Sequence, residues 1–153
     1  MSNSNHTAHT TALPDEVSSM KTQEKTAAIY PNLLYRDAAA AIEWLEQLGF
    51  RCIEDHRDDD GNVVHGELAL DSAVVMLGTA GAGREPFRSL SAGGALIYCA
   101  VGDVDALFGR AWEVGAEVVV ESMDTDYGSR DFALRDPEGN VWSFGTYHPQ
   151  VVP

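Results

Sequence analysis

Two stretches of this chain carry the same punctuation 66 residues apart, and that repetition limits the possible folds more than any other feature. Asp37 to Phe50 and Asp103 to Ala116 each open on Asp, continue with apolar residues at helical spacing, and stop at Gly49 or Gly115. An Asp carboxylate accepts hydrogen bonds from the orphan amides of a first helical turn, and a Gly takes the left-handed conformation that closes a helix. The spacing predicts a helix that buries Ala41, Trp44, Leu45 and Leu48 in the first copy. In the second it predicts burial of Leu107, Phe108, Ala111 and Val114, with Trp112 also on the inner face.

The segments behind the helices repeat as well. Glu67 to Leu70 parallels Asp131 to Leu134, and Val74 to Gly78 parallels Val141 to Gly145. Asp58-Asp59-Asp60-Gly61-Asn62 marks a hairpin turn in the first copy. Each copy therefore reads as strand, helix, then three strands. Module one spans about 27–78, a glycine-rich connector 79–94, and module two 95–148, with a short tail at 149–153. The connector is read as flexible, or as a lid over a pocket. Residues 1–26 are polar, contain His6 and His9, and are expected to be a disordered arm.

The last hairpin is the most specific motif. Tyr127-Gly128-Ser129-Arg130-Asp131-Phe132 leads into a strand, and Asp136-Pro137-Glu138-Gly139-Asn140 supplies turn chemistry. Val141 to Phe144 then forms a β-branched and aromatic strand. This hairpin, together with the duplicated module, resembles the vicinal-oxygen-chelate superfamily. That superfamily includes glyoxalases, extradiol dioxygenases, and bleomycin- and fosfomycin-resistance proteins. The resemblance covers residues 27–148. It implies an α+β fold in which two tandem βαβββ modules form a curved mixed sheet with a concave ligand cleft. It also implies a homodimer, because such proteins complete their cavities by pairing modules or subunits.

Strand alternation assigns the inward side chains. Val64, Leu68 and Leu70 form an apolar set, leaving His65, Glu67 and Ala69 on the opposite face. Trp142 and Phe144 form another, leaving Ser143 and Gly145 inward. Tyr30 and Asn32 are placed inward in the first strand, and Leu96 and Tyr98 in its repeat. A wall of His, Glu, Tyr, Asn and Ser suits a pocket with a few convergent polar groups.

Metal-dependent members of that superfamily carry His, Glu or Gln, His and Glu at four inward points. Laid on this chain by its helix starts and turns, those points fall at Tyr30, Glu67, Leu96 and Ser143. Only Glu67 has strong ligand chemistry, and His65 adds at most a second donor. A zinc, nickel or iron site wants three or four N, O⁻ or S⁻ donors. The resemblance therefore implies the metal-free branch, with no cofactor. Tyr127, Arg130 and Trp142 match a glyoxalase-like subgroup of that branch. Arg130 offers a bidentate anchor for a carboxylate or phosphate, or else a salt bridge to a nearby Asp.

Composition narrows the partners. Ten basic residues face 24 acidic ones, for a net charge of -14. So few cations cannot build a phosphate-neutralising surface, which excludes nucleic acid and an anionic membrane as partners. Cys52 and Cys99 have no CxxC neighbour and read as buried free thiols of a cytoplasmic protein. The functional expectation is a binding protein for a small aromatic or drug-like molecule. Tyr30, Asn32, His65, Glu67, Tyr98, Tyr127, Arg130 and Ser143 are its candidate contacts. The alternative is a lyase, isomerase or dioxygenase with an atypical His65/Glu67 metal site or a Glu or His general base.

Overall fold

A computed structural model describes residues 27–150; the N-terminal arm, His6 and His9 included, lies outside the described residues. The predicted duplication is present. Module one holds β1 (Asn32–Tyr35), α1 (Ala38–Gln47), β2 (Arg51–Arg57), β3 (Val63–Leu70) and β4 (Ala73–Thr79). Module two holds β5 (Leu96–Ala100), α2 (Val104–Glu113), β6 (Glu117–Asp124), β7 (Arg130–Arg135) and β8 (Val141–Gly145). The sheets have matching strand orders, β1-β4-β3-β2 and β5-β8-β7-β6. In each, the first strand pairs in parallel with the last and the other pairings are antiparallel. This is the expected α+β pair of βαβββ modules.

Both helix starts follow the sequence signal. Asp37 accepts from the amide of Ala40 and Asp103 from that of Ala106. Gly49 and Gly115 sit just past the helix ends at φ of 103° and 73°, where a side chain would be strained. The helices lie on one face of their sheets, and the core fills between. Leu45, Leu48, Leu68, Leu77, Phe132, Phe144 and Trp142 are all essentially inaccessible to solvent. Trp44 and Phe50 of module one reach across to the ring of Trp142, at centroid distances of 6.1 and 6.0 Å. The two modules therefore share one apolar core.

Two expectations about this core need correction. Trp112 is 66 % exposed and lies on the outer side of α2, whereas Trp142 is 1 % exposed. Val114 is also exposed, at 40 %. In α2 the buried stripe is Val104, Leu107 and Ala111, and one helix turn cannot also bring position 112 inward. On β3 the alternation breaks. Val63 is buried and Val64 exposed, because Val63 pairs with Arg57 while His65 pairs with His56. Val64 is the unpaired residue of that bulge, and the bulge turns it away from the core.

One turn chemistry is used twice. In Asp58–Asn62 and in Asp136–Asn140, the Asp amide donates to the Asn carbonyl and the Asn amide donates back to the Asp carboxylate. The third-position amide and the Asn side chain bind the same Asp. The first copy is exposed, and the second is buried at the module junction. There Asp136 also accepts from Tyr35 Oη at 2.7 Å and from Trp142 Nε1 at 3.2 Å. Glu138, in the same turn, accepts from the amides of Arg36 and Asp37 at the entrance to α1. Asn140 accepts from the Ala95 amide.

Two outcomes test this description. Trp142→Ala should cost ~3–5 kcal/mol and Trp112→Ala less than ~0.5 kcal/mol in urea unfolding. Burial, then the Asp136 hydrogen bond, push the Tyr35 phenol far above its ordinary range. The stability this represents is fully present below about pH 10 and is lost as pH rises, because the unfolded chain ionises Tyr35 first. Tyr35→Phe should make the alkaline decline in stability shallower; an unchanged slope would refute the linkage.

Candidate functional site

The helices cover one face of each sheet, and the opposite faces are open. On module one, strand pairing sets Asn32 opposite Met76, Leu34 opposite Gly78, and Met76 opposite Glu67. A second bulge, at Ile53, shifts β2 so that Glu54 faces Glu67 and His56 faces His65. The result is two matched pairs on one face. His65 Nε2 lies 2.8 Å from Glu67 Oε1, and His56 Nε2 lies 2.8 Å from Glu54 Oε2. The two imidazoles stack at 6.4 Å with planes 23° apart.

Beside these pairs lies a cavity of about 460 Å³. Its floor is Asn32, Leu34, Val64, His65, Gly78 and Thr79. Its roof comes from the connector, through Ala82, Gly83, Arg84 and Leu90. The size lies within the usual range for small-molecule pockets, and the mix of aliphatic side chains with a few polar groups is typical of them. Gly78 lets the strand run close under the carbonyls of Val63 and Val64; a Cβ there would lie 3.4 Å from each oxygen.

On module two, Tyr98 stands opposite Ser143 and Asp131 opposite Gly145. Tyr127 Oη donates to Asp131 Oδ2 at 2.9 Å, and Ser129 Oγ binds the other carboxylate oxygen. Tyr98 Oη donates to the carbonyl of Tyr147 at 2.8 Å. Burial, then the charge of Asp131, raise the Tyr98 phenol, and the hydrogen bond from Tyr127 to Asp131 raises that of Tyr127. A Cβ on Gly145 would collide with the Asp131 carboxylate and lie 2.8 Å from Tyr98 Oη.

The candidate contacts thus separate into groups. Asn32, His65 and Glu67 come together on module one. Tyr98 and Tyr127 come together around Asp131 on module two, and Ser143 stands opposite Tyr98. Tyr30 precedes β1 and lines a different cavity of about 500 Å³ at the seam between modules, with Tyr98, Phe50 and Trp142. Arg130 points to the helix side. Its Nε lies 2.8 Å from Asp105 of α2 and its Nη1 3.0 Å from Asp124, so two carboxylates already occupy the guanidinium. Cys52 and Cys99 are free and half-buried rather than fully buried, and burial raises both thiols.

The four-point comparison also shifts. By strand position the partner of Ser143 in module one is Met76, which faces Asn32 as Ser143 faces Tyr98. Glu67, opposite Met76, corresponds to Ala133, opposite Ser143, whereas Asp131 stands opposite Gly145, two residues earlier on its strand. The paired inward positions are thus Asn32, Met76, Tyr98 and Ser143, a donor set that does not fit a zinc, nickel or iron ion. Among the described residues no group of three or more His, Cys, Asp or Glu converges on a point that could hold a metal. No helix of the described residues is long and apolar enough to cross a membrane.

The residues that sequence reading missed are His56, Asp131, Tyr147 and the connector side chains. The Ile53 bulge hid His56 by reversing its face, and Asp131 is visible only through the glycine opposite it.

Comparison with known proteins agrees with this architecture. The family model described as Glyoxalase/Bleomycin resistance protein/Dioxygenase superfamily matches residues 26–144, and the chain belongs to that superfamily. An uncharacterized protein of Mycobacterium bovis is 35% identical over 125 residues, which cover 77% of this chain and 82% of the relative. A Mycobacterium tuberculosis protein is equally similar over 73% of its length. Among solved structures, TioX from Micromonospora sp. ML1 has a TM-score of 0.63 and 30% identity, covering 78% of this chain and 98% of TioX. A bleomycin-binding protein complexed with bleomycin has a TM-score of 0.60 and 18% identity, covering 80% of this chain and 100% of its own, a likeness of fold.

The close approach at Gly145 gives a direct check. Gly145→Ala should cost ~1–3 kcal/mol through overpacking. Asp131→Ala in the same chain should recover part of that loss, because the carboxylate collision is gone while the 2.8 Å approach to Tyr98 Oη remains. Additive effects in urea unfolding would mean that the two residues do not touch.

Proposed function

We propose that this superfamily member is a binding protein that holds a small, largely apolar and aromatic molecule on the open face of module one, without a resident metal. The observation that carries the reading is the 460 Å³ cavity roofed by the connector, with Leu34, Val64 and Leu90 for burial and Asn32, Thr79 and His65 for orientation. The inward donor set of Asn32, Met76, Tyr98 and Ser143 supports a site that works by packing and hydrogen bonds. Burial of a planar molecule against such a surface gives about 25 cal/mol per Å² before the costs of association. Sequestration requires no catalytic group. The bleomycin complex of a structural neighbour supports small-molecule binding as a use of this fold.

The proposal includes a cytoplasmic homodimer. Leu96 is 74 % exposed and Tyr98 40 % exposed on the open face of module two. A second copy placed against Leu96 would cover that side chain. A second reading rests on the His65–Glu67 pair at the cavity: a carboxylate that orients an imidazole is a general-base arrangement, suited to abstracting a proton beside a carbonyl.

Thermal melts of the full chain test the first reading. Aromatic antibiotics and small aromatic carboxylates should include compounds that raise the melting temperature, by about 2–4 °C or more for each kcal/mol of linkage. Leu34→Asp should abolish the rise. Divalent zinc, nickel, iron and manganese, or a chelator, should leave the melt unchanged. A metal-specific rise that disappears with His65→Ala would overturn the metal-free reading in favour of an enzyme.

A further inference from the structure

On module two the polar and aromatic side chains form a cluster that the module-one cavity does not use. Tyr127, in the β6–β7 turn, and Tyr147, just past β8, meet at 6.3 Å with their rings at 89°. The two perpendicular rings make a corner, and both are about half exposed or more, at 65 % and 49 %. Asp131 lies at its base, held by the hydroxyls of Tyr127 and Ser129. Tyr98 completes the base, its hydroxyl bonded to the Tyr147 carbonyl. Gly145 permits this crowding, since a side chain there would displace the carboxylate.

Hydroxyl groups solvate the Asp131 charge without neutralising it. Among the described residues no Arg or His forms an ion pair with Asp131. Arg130, its nearest cation in sequence, is turned to the helix side. The faces of tyrosine rings attract cations, and organic ammonium groups most effectively because they shed water easily. A divalent ion would want six or more oxygen donors, which one carboxylate and a few hydroxyls do not supply. The net charge of -14 draws cations to the whole surface.

We infer that Tyr127, Tyr147, Tyr98 and Asp131 form a binding site for an alkylated ammonium group, carried by a small-molecule ligand. The rings enclose the alkyl groups and Asp131 balances the charge. The site stands on module two alone and does not rest on the cavity of module one.

Choline and its neutral carbon isostere, dimethylbutanol, test this in amide NMR titrations of the full chain at constant chloride. Choline should shift the amides of Gly128, Asp131 and Gly145 saturably, about fivefold or more tighter than the alcohol. Tyr127→Leu and Asp131→Asn should each weaken choline by about fivefold, and Tyr127→Phe should retain it. Tyr127 lies in an exposed turn, so its variants keep the fold, as circular dichroism would show. Equal binding of the alcohol, shifts centred elsewhere, or indifference to both Tyr127→Leu and Asp131→Asn would overturn the site.

Discussion

A single buried carboxylate ties the two halves of this protein together. Asp136 holds its own turn closed through Asn140, receives the phenol of Tyr35 from module one, and receives the indole of Trp142 from module two. A buried charge is costly unless its acceptor sites are filled, and here backbone and side-chain donors fill them. Removing one donor leaves the other donors in place, whereas removing Asp136 would orphan several buried donors at once. Glu138 adds a second tie by capping the approach to α1. This turn, together with the packing of Trp44 and Phe50 on Trp142, sets the relative placement of the modules.

That placement sends both helices and the aromatic cluster around Trp142 to one side and leaves the two sheet faces uncovered. The chemistry collects on those faces. Module one offers an aliphatic cavity with two His–Glu pairs, and module two offers tyrosines around Asp131. The two modules share a fold and differ in what they present, as duplicated modules can once the core is secured elsewhere. The connector spans the change from one to the other and contributes the roof of the cavity.

Much of the architecture was legible in the sequence, because helix caps and strand alternation are local signals. Asp37, Gly49, Asp103 and Gly115 mark the helices where the structure has them. The Asp136–Asn140 run was legible as a turn but not as a hub, since its partners Tyr35 and Trp142 are specified by tertiary contact alone. The site was less legible for physical reasons. Bulges at Ile53 and Val64 reverse side-chain faces without any proline or glycine to announce them. Arg130 reads as a free anchor until α2 brings Asp105 against it. Trp112 shows that an aromatic at nearly helical phase can still point outward.

Native-state amide hydrogen exchange on the wild type and on Asp136→Ala tests the central claim most directly. With Asp136 as the tie, the slowest amides of β3 and β4 and those of β7 and β8 should open with one common free energy. Asp136→Ala should then lower protection in both modules together. Loss confined to β7 and β8, with β3 and β4 unchanged, would show that module one is stable on its own and that the shared carboxylate does not hold the fold together.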